Sequence, residues 1–410
     1  MSQGDREFDI VLWGASGFTG QLVAAYLLER YGVEGSFRWA LGGRNEAKLD
    51  GVRDRLGAAA LPLVLGDGDD EASLASLASR TRVVCTTVGP YARYGSKLVA
   101  ACARGGTHYC DLTGELHWIR RMIDAHQQEA ERSGARIVPT CGFDSIPSDL
   151  GVFFIQREMR ARRGGPSPHV KCGVAGFSGG MSGGTVASML NMLEEAGKDP
   201  VVMKVMRDPY AIDPGDRRGR EDSPDRSGPA FDADLGQWTA PFVMAGINTR
   251  VVRRTRALLG DLYGSEFRYE ESMLTGEGAA GAIKAGSVAF GMGVGMGAMA
   301  IGPIRRLVSP RLPSPGEGPT PKQQERGYWD LRFWAAPPVG SDAGPLRARL
   351  QGDRDPGYGS TSKMLGESAV CLALDSLDGA GGFLTPAAAL GDALIERLQK
   401  NAGVSFAVEE

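Results

Sequence analysis

The first third of the chain alternates short apolar runs with longer segments whose apolar residues recur at helical spacing. The run at 10–13 is a continuous apolar stretch of strand length, and helical spacing begins after Gly17. The alternation continues to residue 139 and predicts six strands, at 10–13, 37–41, 61–65, 82–87, 108–112 and 135–139. Strands that alternate with helices in this way are typical of a parallel, doubly wound α/β sheet.

The pattern changes at 162–166, where two arginines are followed by two glycines and a proline. This interruption predicts a domain boundary. Beyond it, strand-like segments are mixed with helical ones and with a charged loop, at 169–177, 213–229, 267–274 and 328–335. Helical segments begin near 363 and 385, and a strand-like tail follows at 404–408.

A glycine turn, Gly14-Ala15-Ser16-Gly17-Phe18-Thr19-Gly20, joins the first predicted strand to the first predicted helix. The absence of side chains at Gly14 and Gly17 lets a pyrophosphate approach the N–H groups at the helix N-terminus. Gly20 lets the helix pack close to its strand. We interpret this stretch as a dinucleotide-binding turn. A glycine turn without a ligand is the alternative, since the spacing is GxxGxxG and not GxGxxG.

Arg44 follows the second predicted strand, at the position where a nucleotide-binding fold meets the adenosine ribose. An acidic residue there would bind a free 2′-hydroxyl, whereas a guanidinium suits a 2′-phosphate. The sequence therefore favours NADP(H) over NAD(H), with a solvated surface arginine as the alternative. Asp67 ends the third predicted strand and is a candidate to bind the adenine amino group, or else a simple turn aspartate.

Two further loops follow predicted strands and should lie at the same edge of the sheet. Thr87-Val88-Gly89-Pro90 follows the fourth strand and is expected to contact the cofactor. The loop at 140–148 follows the sixth strand and is expected to face the nicotinamide ring. Both loops place polar side chains next to the predicted cofactor site.

Composition narrows the class of protein. Of the 410 residues, 42% are hydrophobic and 23% are charged, which is typical of a soluble globular protein long enough for two domains. The net charge of −3 gives no overall attraction to nucleic acid or acidic membranes. The six cysteines are scattered along the chain, which predicts reduced thiols in a cytoplasmic protein. The four histidines show no ligand spacing, so we expect no metal site. The segment 1–7 is polar and charged, so we expect no signal peptide.

The segment 285–304 is unusual, because it carries no charge and contains six glycines. Its length would span a bilayer, but glycine weakens both its hydrophobicity and its helix propensity. We expect a buried helix of small residues, or an apolar wall around a hydrophobic substrate. Peripheral contact with a membrane or lipid-droplet surface is the alternative. Exposure of the segment would indicate a docking surface, and pocket lining would indicate a substrate site.

Four motifs follow one another along the chain: GASGFTG at 14–20, TVGPY at 87–91, HYCDLTGE at 108–115 and CGFDSIPSD at 141–149. In this order they resemble the saccharopine dehydrogenase-like oxidoreductase family, and most of all its branch of mycobacterial trans-acting enoyl reductases. The stretches at 357–364 and 385–387 resemble the same branch.

The resemblance implies NADP(H) and a Rossmann-type doubly wound parallel sheet. It implies an NADP-binding domain of residues 1–150 plus about 355–410, with a second α+β domain at about 151–354 inserted before the C-terminal helices. The better characterised members act on saccharopine, whereas the enoyl reductase branch is implicated in reducing a double bond during polyketide lipid assembly. By analogy, we expect a homodimer formed through the second domain.

The first functional hypothesis is an NADPH-dependent reductase of an activated C=C bond in a lipid or polyketide-type substrate. No arginine cluster for substrate carboxylates is evident in the second domain, which favours an apolar acyl chain over saccharopine. One alternative is an imine or amino-acid dehydrogenase of the saccharopine type. Another is a cofactor-binding protein that docks on a lipid surface or a synthase partner through 285–304.

Under the first hypothesis, the candidate catalytic residues are Tyr91, Asp144 and Ser145, because their loops should converge at the nicotinamide. Tyr91 would bind the substrate carbonyl or deliver a proton, and its alternative is packing over the cofactor ring. Asp144 would tune or relay the proton, and its alternative is helix capping or fastening of the loop. Ser145 would orient the substrate. Asp111 and Glu115 are expected to cap the long helix that follows them.

Overall fold

The computed structural model describes residues 6–179, 183–217, 225–300 and 318–409, together with 302, 303 and 307. Parts of the charged loop at 213–229 and of the segment 285–304 lie outside these ranges, so the expectations for those parts stay predictions.

Seven parallel strands form the first sheet in the order β13-β6-β5-β4-β1-β2-β3. Their bounds are β1 Phe8–Trp13, β2 Trp39–Gly43, β3 Leu63–Leu65, β4 Thr81–Thr86, β5 His108–Cys110, β6 Arg136–Val138 and β13 Gly382–Phe383. The strand order reverses between β1 and β4, and parallel sheets bind ligands at such a point. The predicted doubly wound parallel sheet is therefore confirmed.

The apolar run of β1 is continuous because helices cover both faces of this sheet. Ile10 and Leu12 belong to one core, and Val11 and Trp13 belong to the other. The helices of this part of the chain are α1 Phe18–Tyr31, α2 Glu46–Arg55, α3 Glu71–Arg80, α4 Tyr91–Tyr94, α5 Ser96–Gly105, α6 Leu116–Ser133 and α13 Thr361–Leu374. The last of these packs on the sheet from the far end of the sequence.

The second sheet is mixed and has the order β14-β12-β11-β7-β10-β9-β8. Its strands are β7 His169–Ser178, β8 Ala230–Asp232, β9 Gln237–Ala240, β10 Arg268–Gly276, β11 Tyr328–Ala335, β12 Leu346–Gly352 and β14 Val404–Glu409. The remaining helices are α7 Ile146–Arg163, α8 Gly183–Lys198, α9 Pro200–Arg207, α10 Ala245–Leu259, α11 Gly278–Ala300, α12 Pro321–Arg326 and α14 Pro386–Asn401. The expected second α+β domain is thus present.

The C-terminal stretch is shared between the two sheets. Helix α13 packs on the first sheet, but β14 pairs with β12 in the second, so the expected assignment of all of 355–410 to the nucleotide domain needs correction. The physical reason lies in the alternation along β14, where Val404 and Phe406 are buried and Ser405 and Ala407 are exposed. A strand with one buried face suits the edge of a mixed sheet.

Helix α11 is exposed along most of its described length, which contradicts the expected burial. Among its described side chains, Gly281 and Ala285 are buried, whereas Phe290 is 74% and Val294 53% exposed. By length and composition Gly278–Met299 could cross a membrane, with a mean hydropathy of 1.2 and 6% of the apolar window buried. The small residues that were expected to favour burial have no packing partner here, since a Cβ atom at Gly291 or Gly295 would contact nothing within 4 Å.

Candidate functional site

The glycine turn is tightly folded at the C-terminal end of β1. Gly14 has a φ of +86°, a conformation that side chains rarely adopt. The amides of Gly14 and Ala15 both donate to the carbonyl of Gly42, at 2.9 and 3.2 Å, and the amide of Gly17 donates back to the carbonyl of Gly14 at 2.9 Å. Ala15 is fully buried, so only its backbone can face a ligand. The turn therefore has the geometry that a dinucleotide-binding turn requires.

The N-terminus of helix α1 is left open for an anion. Its N-cap residue, Gly17, provides no side-chain cap, and no acidic residue lies in the first turn. The hydroxyl groups of Ser16 and Thr19 make no hydrogen bond within the described part of the chain. Phe18 turns its ring towards Tyr358, at 5.1 Å between centroids, so only its backbone amide points to the turn's ligand side. Free amides and a positive helix end together favour a phosphate.

The loop after β4 forms a wall against this turn. The hydroxyl of Thr87 donates to the carbonyl of Gly14 at 3.2 Å. A Cβ atom on Gly14 would lie 2.5 Å from Cγ2 of Val88, so the two motifs touch where Gly14 has no side chain. Gly89 is exposed and Pro90 half-buried at the open end of the same loop. Two motifs that are 73 residues apart in sequence are thus brought together, as expected for a common nucleotide cleft.

Arg44 and Asp67 lie at the adenosine side of this edge. Arg44 is exposed, and its guanidinium has no partner among the described residues, so it is available to a ligand. Asp67 accepts a hydrogen bond from the amide of Asp69 at 2.9 Å, while its own amide donates to the hydroxyl of Ser73. These hydrogen bonds are those of a simple turn aspartate, which is one of the two interpretations that the sequence left open for Asp67.

The residues present fit an NADP(H) molecule. A cradle closed by glycines, an uncapped helix end and an unpaired guanidinium are what a pyrophosphate and a 2′-phosphate need. Within the described ranges, no group of three His, Cys, Asp or Glu side chains is placed to hold a metal ion.

Tyr91 occupies a different place from the one expected. It is 3% exposed and packs on Trp118, with the ring centroids 5.5 Å apart. Its hydroxyl donates to the carbonyl of Thr86 at 3.2 Å, and burial, helped by the nearby Asp111, raises the pKa of the phenol well above its usual value. Because the hydroxyl of Tyr91 donates its proton to a backbone carbonyl in the core, this residue is not placed to donate a proton to substrate, contrary to our expectation.

Asp144 is the candidate that the structure leaves chemically free. Its side chain is half-buried and has no hydrogen-bond or ion-pair partner among the described residues. One carboxyl oxygen lies 4.0 Å from the position that a Cβ atom would take on Gly114, in the loop after the neighbouring strand β5. Burial raises the pKa of this carboxyl to about 6. A carboxylic acid with such a pKa can hold and deliver a proton near neutral pH.

Ser145 is fully buried and belongs to a hydrogen-bond network that the sequence did not predict. Its hydroxyl donates to Oδ1 of Asn248 at 3.2 Å, and Nδ2 of Asn248 donates to Glu271 at 2.7 Å. The hydroxyl of Tyr269 donates to the same carboxyl at 2.9 Å. Ser145 therefore fastens the loop to the second domain and does not reach a substrate. Helix α10 and strand β10 both carry several polar and charged residues, so the sequence gives no signal that singles out Asn248 or Glu271.

The second domain contains a cluster of four arginines that the sequence did not predict. It lies on helix α10, and each of its members is engaged with the segment 206–213 or with acidic residues. Arg254 donates to the carbonyls of Ile212 and Phe383, and Arg256 pairs with Asp213. Arg250 and Arg253 both approach Asp225. The cluster fastens a buried segment, so these four guanidinium groups are not open to a substrate carboxylate.

Comparison with known proteins supports the nucleotide-binding part of this site. Residues 10–138 match the family model of the saccharopine dehydrogenase NADP binding domain. A trans-acting enoyl reductase of Mycobacterium ulcerans is 40% identical over 420 residues, covering 97% of each chain. A Mycobacterium tuberculosis protein that provisionally carries the same name is 45% identical over 422 residues, covering 99% of this chain and 98% of its own.

The fold has a solved counterpart. The apo saccharopine dehydrogenase (L-Glu forming) of Saccharomyces cerevisiae superposes with a TM-score of 0.52 at 13% identity, covering 98% of this chain and 99% of its own. At that identity the likeness shows the shared fold alone. Together with the family match, these comparisons show that the chain is an NADP-dependent oxidoreductase.

Proposed function

Because this chain belongs to the family of the mycobacterial trans-acting enoyl reductases, we propose that it reduces an activated carbon–carbon double bond of an apolar acyl or polyketide-type substrate. The observation that carries the proposal is Asp144, whose carboxyl has no partner among the described residues and which follows strand β6, at the edge where we expect the nicotinamide. The occupied guanidinium groups of helix α10 favour an apolar substrate over an amino acid, which would need free cations for its carboxylates.

NADPH supplies the hydride when it is bound. The open N-terminus of helix α1 would hold its pyrophosphate, and Arg44 would hold the 2′-phosphate. Asp144 retains a proton on its carboxyl and donates it to the carbon next to the activating carbonyl, which hydride addition at the neighbouring carbon leaves electron-rich. Ser145 and Asn248 fix the loop that carries Asp144, so the acid keeps its position.

The test is NADPH consumption with α,β-unsaturated acyl thioesters of increasing chain length, compared with a mixture of an aldehyde and glutamate that forms an imine. We expect the thioesters to be reduced, with kcat/KM rising with chain length, and the Asp144→Asn variant to lose turnover while still binding NADPH. Reduction of the imine mixture alone would overturn the proposal in favour of the amino-acid alternative. Asp54→Asn, which changes an exposed aspartate on helix α2, is the matched control.

As a second candidate function, we propose that the enzyme is cytoplasmic and docks on an anionic lipid surface through helix α11. Two observations favour it. The 22 residues of Gly278–Met299 extend about 33 Å, close to the thickness of a bilayer core, and the side chains of Ile283, Phe290 and Val294 are exposed. In sequence, Lys284 lies near the start of the helix and Arg305 and Arg306 follow it, and these charges suit anionic headgroups. A membrane at this surface would also be a source of apolar acyl chains.

Sedimentation with lipid vesicles tests the docking. We expect binding to vesicles that contain phosphatidylglycerol, weaker binding to phosphatidylcholine alone, and loss of binding in Phe290→Ser. Val339→Ser, which alters an exposed apolar residue outside this helix, should bind as the unchanged chain does. Equal sedimentation with and without vesicles would exclude the docking. Analytical ultracentrifugation without lipid tests the proposed homodimer, and a dimer that Phe290→Ser dissolves would assign the helix to that interface instead.

A further inference from the structure

Glu115 is a buried carboxylate that the proposed chemistry does not use. It is 1% exposed, and it was expected to cap the long helix α6. Its side chain instead accepts hydrogen bonds from the amides of Tyr91 and Ala92, at 2.8 and 2.9 Å, and from the hydroxyl of Ser188, at 2.9 Å. The carboxylate therefore caps the short helix α4 and binds a residue of helix α8 with the same group.

The groups that donate to this carboxylate belong to two different parts of the chain. Tyr91 and Ala92 follow directly after the loop Thr87–Pro90, which walls the glycine turn through Thr87. Ser188 lies in the part of the chain that follows the first domain. Its Oγ atom is 3.6 Å from the position that a Cβ atom would take on Gly89. Helix α8 thus adjoins the exposed end of the nucleotide loop, and Glu115 joins the two.

Further polar contacts join helix α8 to the first domain. Arg93 donates to Asn191 at 2.7 Å, and Arg121 pairs with Glu195 at 2.6 Å. The ring of His117 approaches the same Glu195 at 3.3 Å. Hydrogen bonds and ion pairs of this kind are individually weak, so the attachment of α8 is sensitive to the loss of one partner.

We propose that Glu115 is a positioning residue that couples the nucleotide loop to helix α8, so that NADPH bound at the loop holds α8 over the substrate end of the cleft. The inference rests on the NADPH binding assigned above. The nucleotide fixes the loop, the loop presents the amides of Tyr91 and Ala92 to Glu115, and Glu115 then presents a fixed acceptor to Ser188. Substrate reduction would follow only when α8 is in place.

Hydrogen exchange of the peptide covering 188–198, measured with and without NADPH, tests the coupling. We expect NADPH to slow exchange in this peptide of the unchanged chain. In Ser188→Ala, which keeps both backbone contacts of Glu115, NADPH should bind with little change in Kd but no longer slow the exchange. In this variant, the kcat for reduction of the substrate should fall by a larger factor than KM rises. Ser79→Ala, on the far helix α3, should behave as the unchanged chain does.

Each other outcome is decisive. If NADPH binds without slowing exchange at 188–198, or if Ser188→Ala keeps the full protection, the coupling is wrong while the reductase proposal stands. If NADPH does not bind at all, both fall together. Glu115→Gln gives a second reading, because an amide cannot accept from every donor that the carboxylate serves, and the loss of protection there should be accompanied by weaker NADPH binding.

Discussion

Gly20 lies directly against the carbonyl oxygen of Gly14, and a Cβ atom on Gly20 would stand 2.3 Å from that oxygen. The last glycine of the motif is therefore required by the packing of helix α1 on the turn. The first glycine has a separate reason, since Gly14 has a positive φ and faces Val88 at close range. One short motif thus combines a conformational requirement with a packing requirement.

Replacing Gly20 with alanine should push helix α1 away from the turn. We expect the free energy of unfolding to fall by about 1–3 kcal/mol, as for other overpacked sites, and NADPH binding to weaken because the helix amides move. Chemical denaturation and nucleotide fluorescence measure the two effects. Gly51→Ala on helix α2 is the control, since a Cβ atom there would lie 3.5 Å from Nη1 of Arg55, an ordinary contact with a flexible side chain, and alanine should stabilise the helix slightly. Equal stability of both variants would contradict the packing argument.

The sequence could predict the first sheet and the glycine turn because both depend on local information. A strand buried on both faces is apolar throughout, and a positive φ selects glycine, so Ile10 to Gly14 carry their own signal. The edge strand β14 alternates buried and exposed residues, which shows that it is a strand but not which sheet it joins. Its pairing with β12 is a tertiary choice.

Removing the guanidinium of Arg44 should affect NADPH and spare NADH. A charge-assisted hydrogen bond contributes about 1.5–3 kcal/mol, so the Kd for NADPH should rise roughly 10- to 100-fold in Arg44→Ala. The Kd for NADH should stay within the error of the measurement, because NADH carries no 2′-phosphate. Fluorescence titration of both nucleotides gives the ratio. Arg104→Ala, an exposed arginine of helix α5, should change neither value, and an equal loss for both nucleotides would argue against the 2′-phosphate contact.

Three buried carboxyls should make the protein less stable as the pH rises. Burial raises the pKa of Asp111, Asp149 and Glu271 to about 7 each. Unfolded, these groups release their protons near pH 4, so between about pH 4 and 7 the folded state binds more protons. Stability therefore falls with rising pH, by at most roughly 1.4 kcal/mol per pH unit for each group.

Glu271→Gln tests this sign. The amide can still accept from Asn248 and donate to Tyr269, so the variant should fold. We expect urea denaturation to show that stability declines less steeply between pH 5 and 7 than in the unchanged chain. The contribution of one carboxyl to the slope should be missing. Glu396→Gln, an exposed residue of helix α14, should leave the decline as it was. An unaltered slope in Glu271→Gln would show that the carboxyl is ionised throughout.

The candidate acid could be found from sequence only in part. The loop at 140–148 follows a strand of the sheet, so its position at the ligand edge was predictable from topology. The direction of each polar side chain in the loop was not predictable. Ser145 bonds to Asn248, which lies 103 residues later in the sequence, and only the folded chain brings the two together. Tyr91 likewise follows the loop Thr87–Pro90 in sequence, but its ring packs on Trp118 and not towards the expected cofactor site.

A proton donor at Asp144 predicts a falling limb in the pH profile of reduction. Burial raises the pKa of this carboxyl to about 6, and the donor must be protonated to act. The kcat should therefore be constant below pH 6 and fall about tenfold per pH unit above it. Asp144→Asn should lower kcat by about 10²–10⁴-fold and abolish that limb, because no titrating donor is left. Asp54→Asn should keep the full profile. If Asp144→Asn retains the falling limb, then another group supplies the proton and Asp144 serves only to hold the loop.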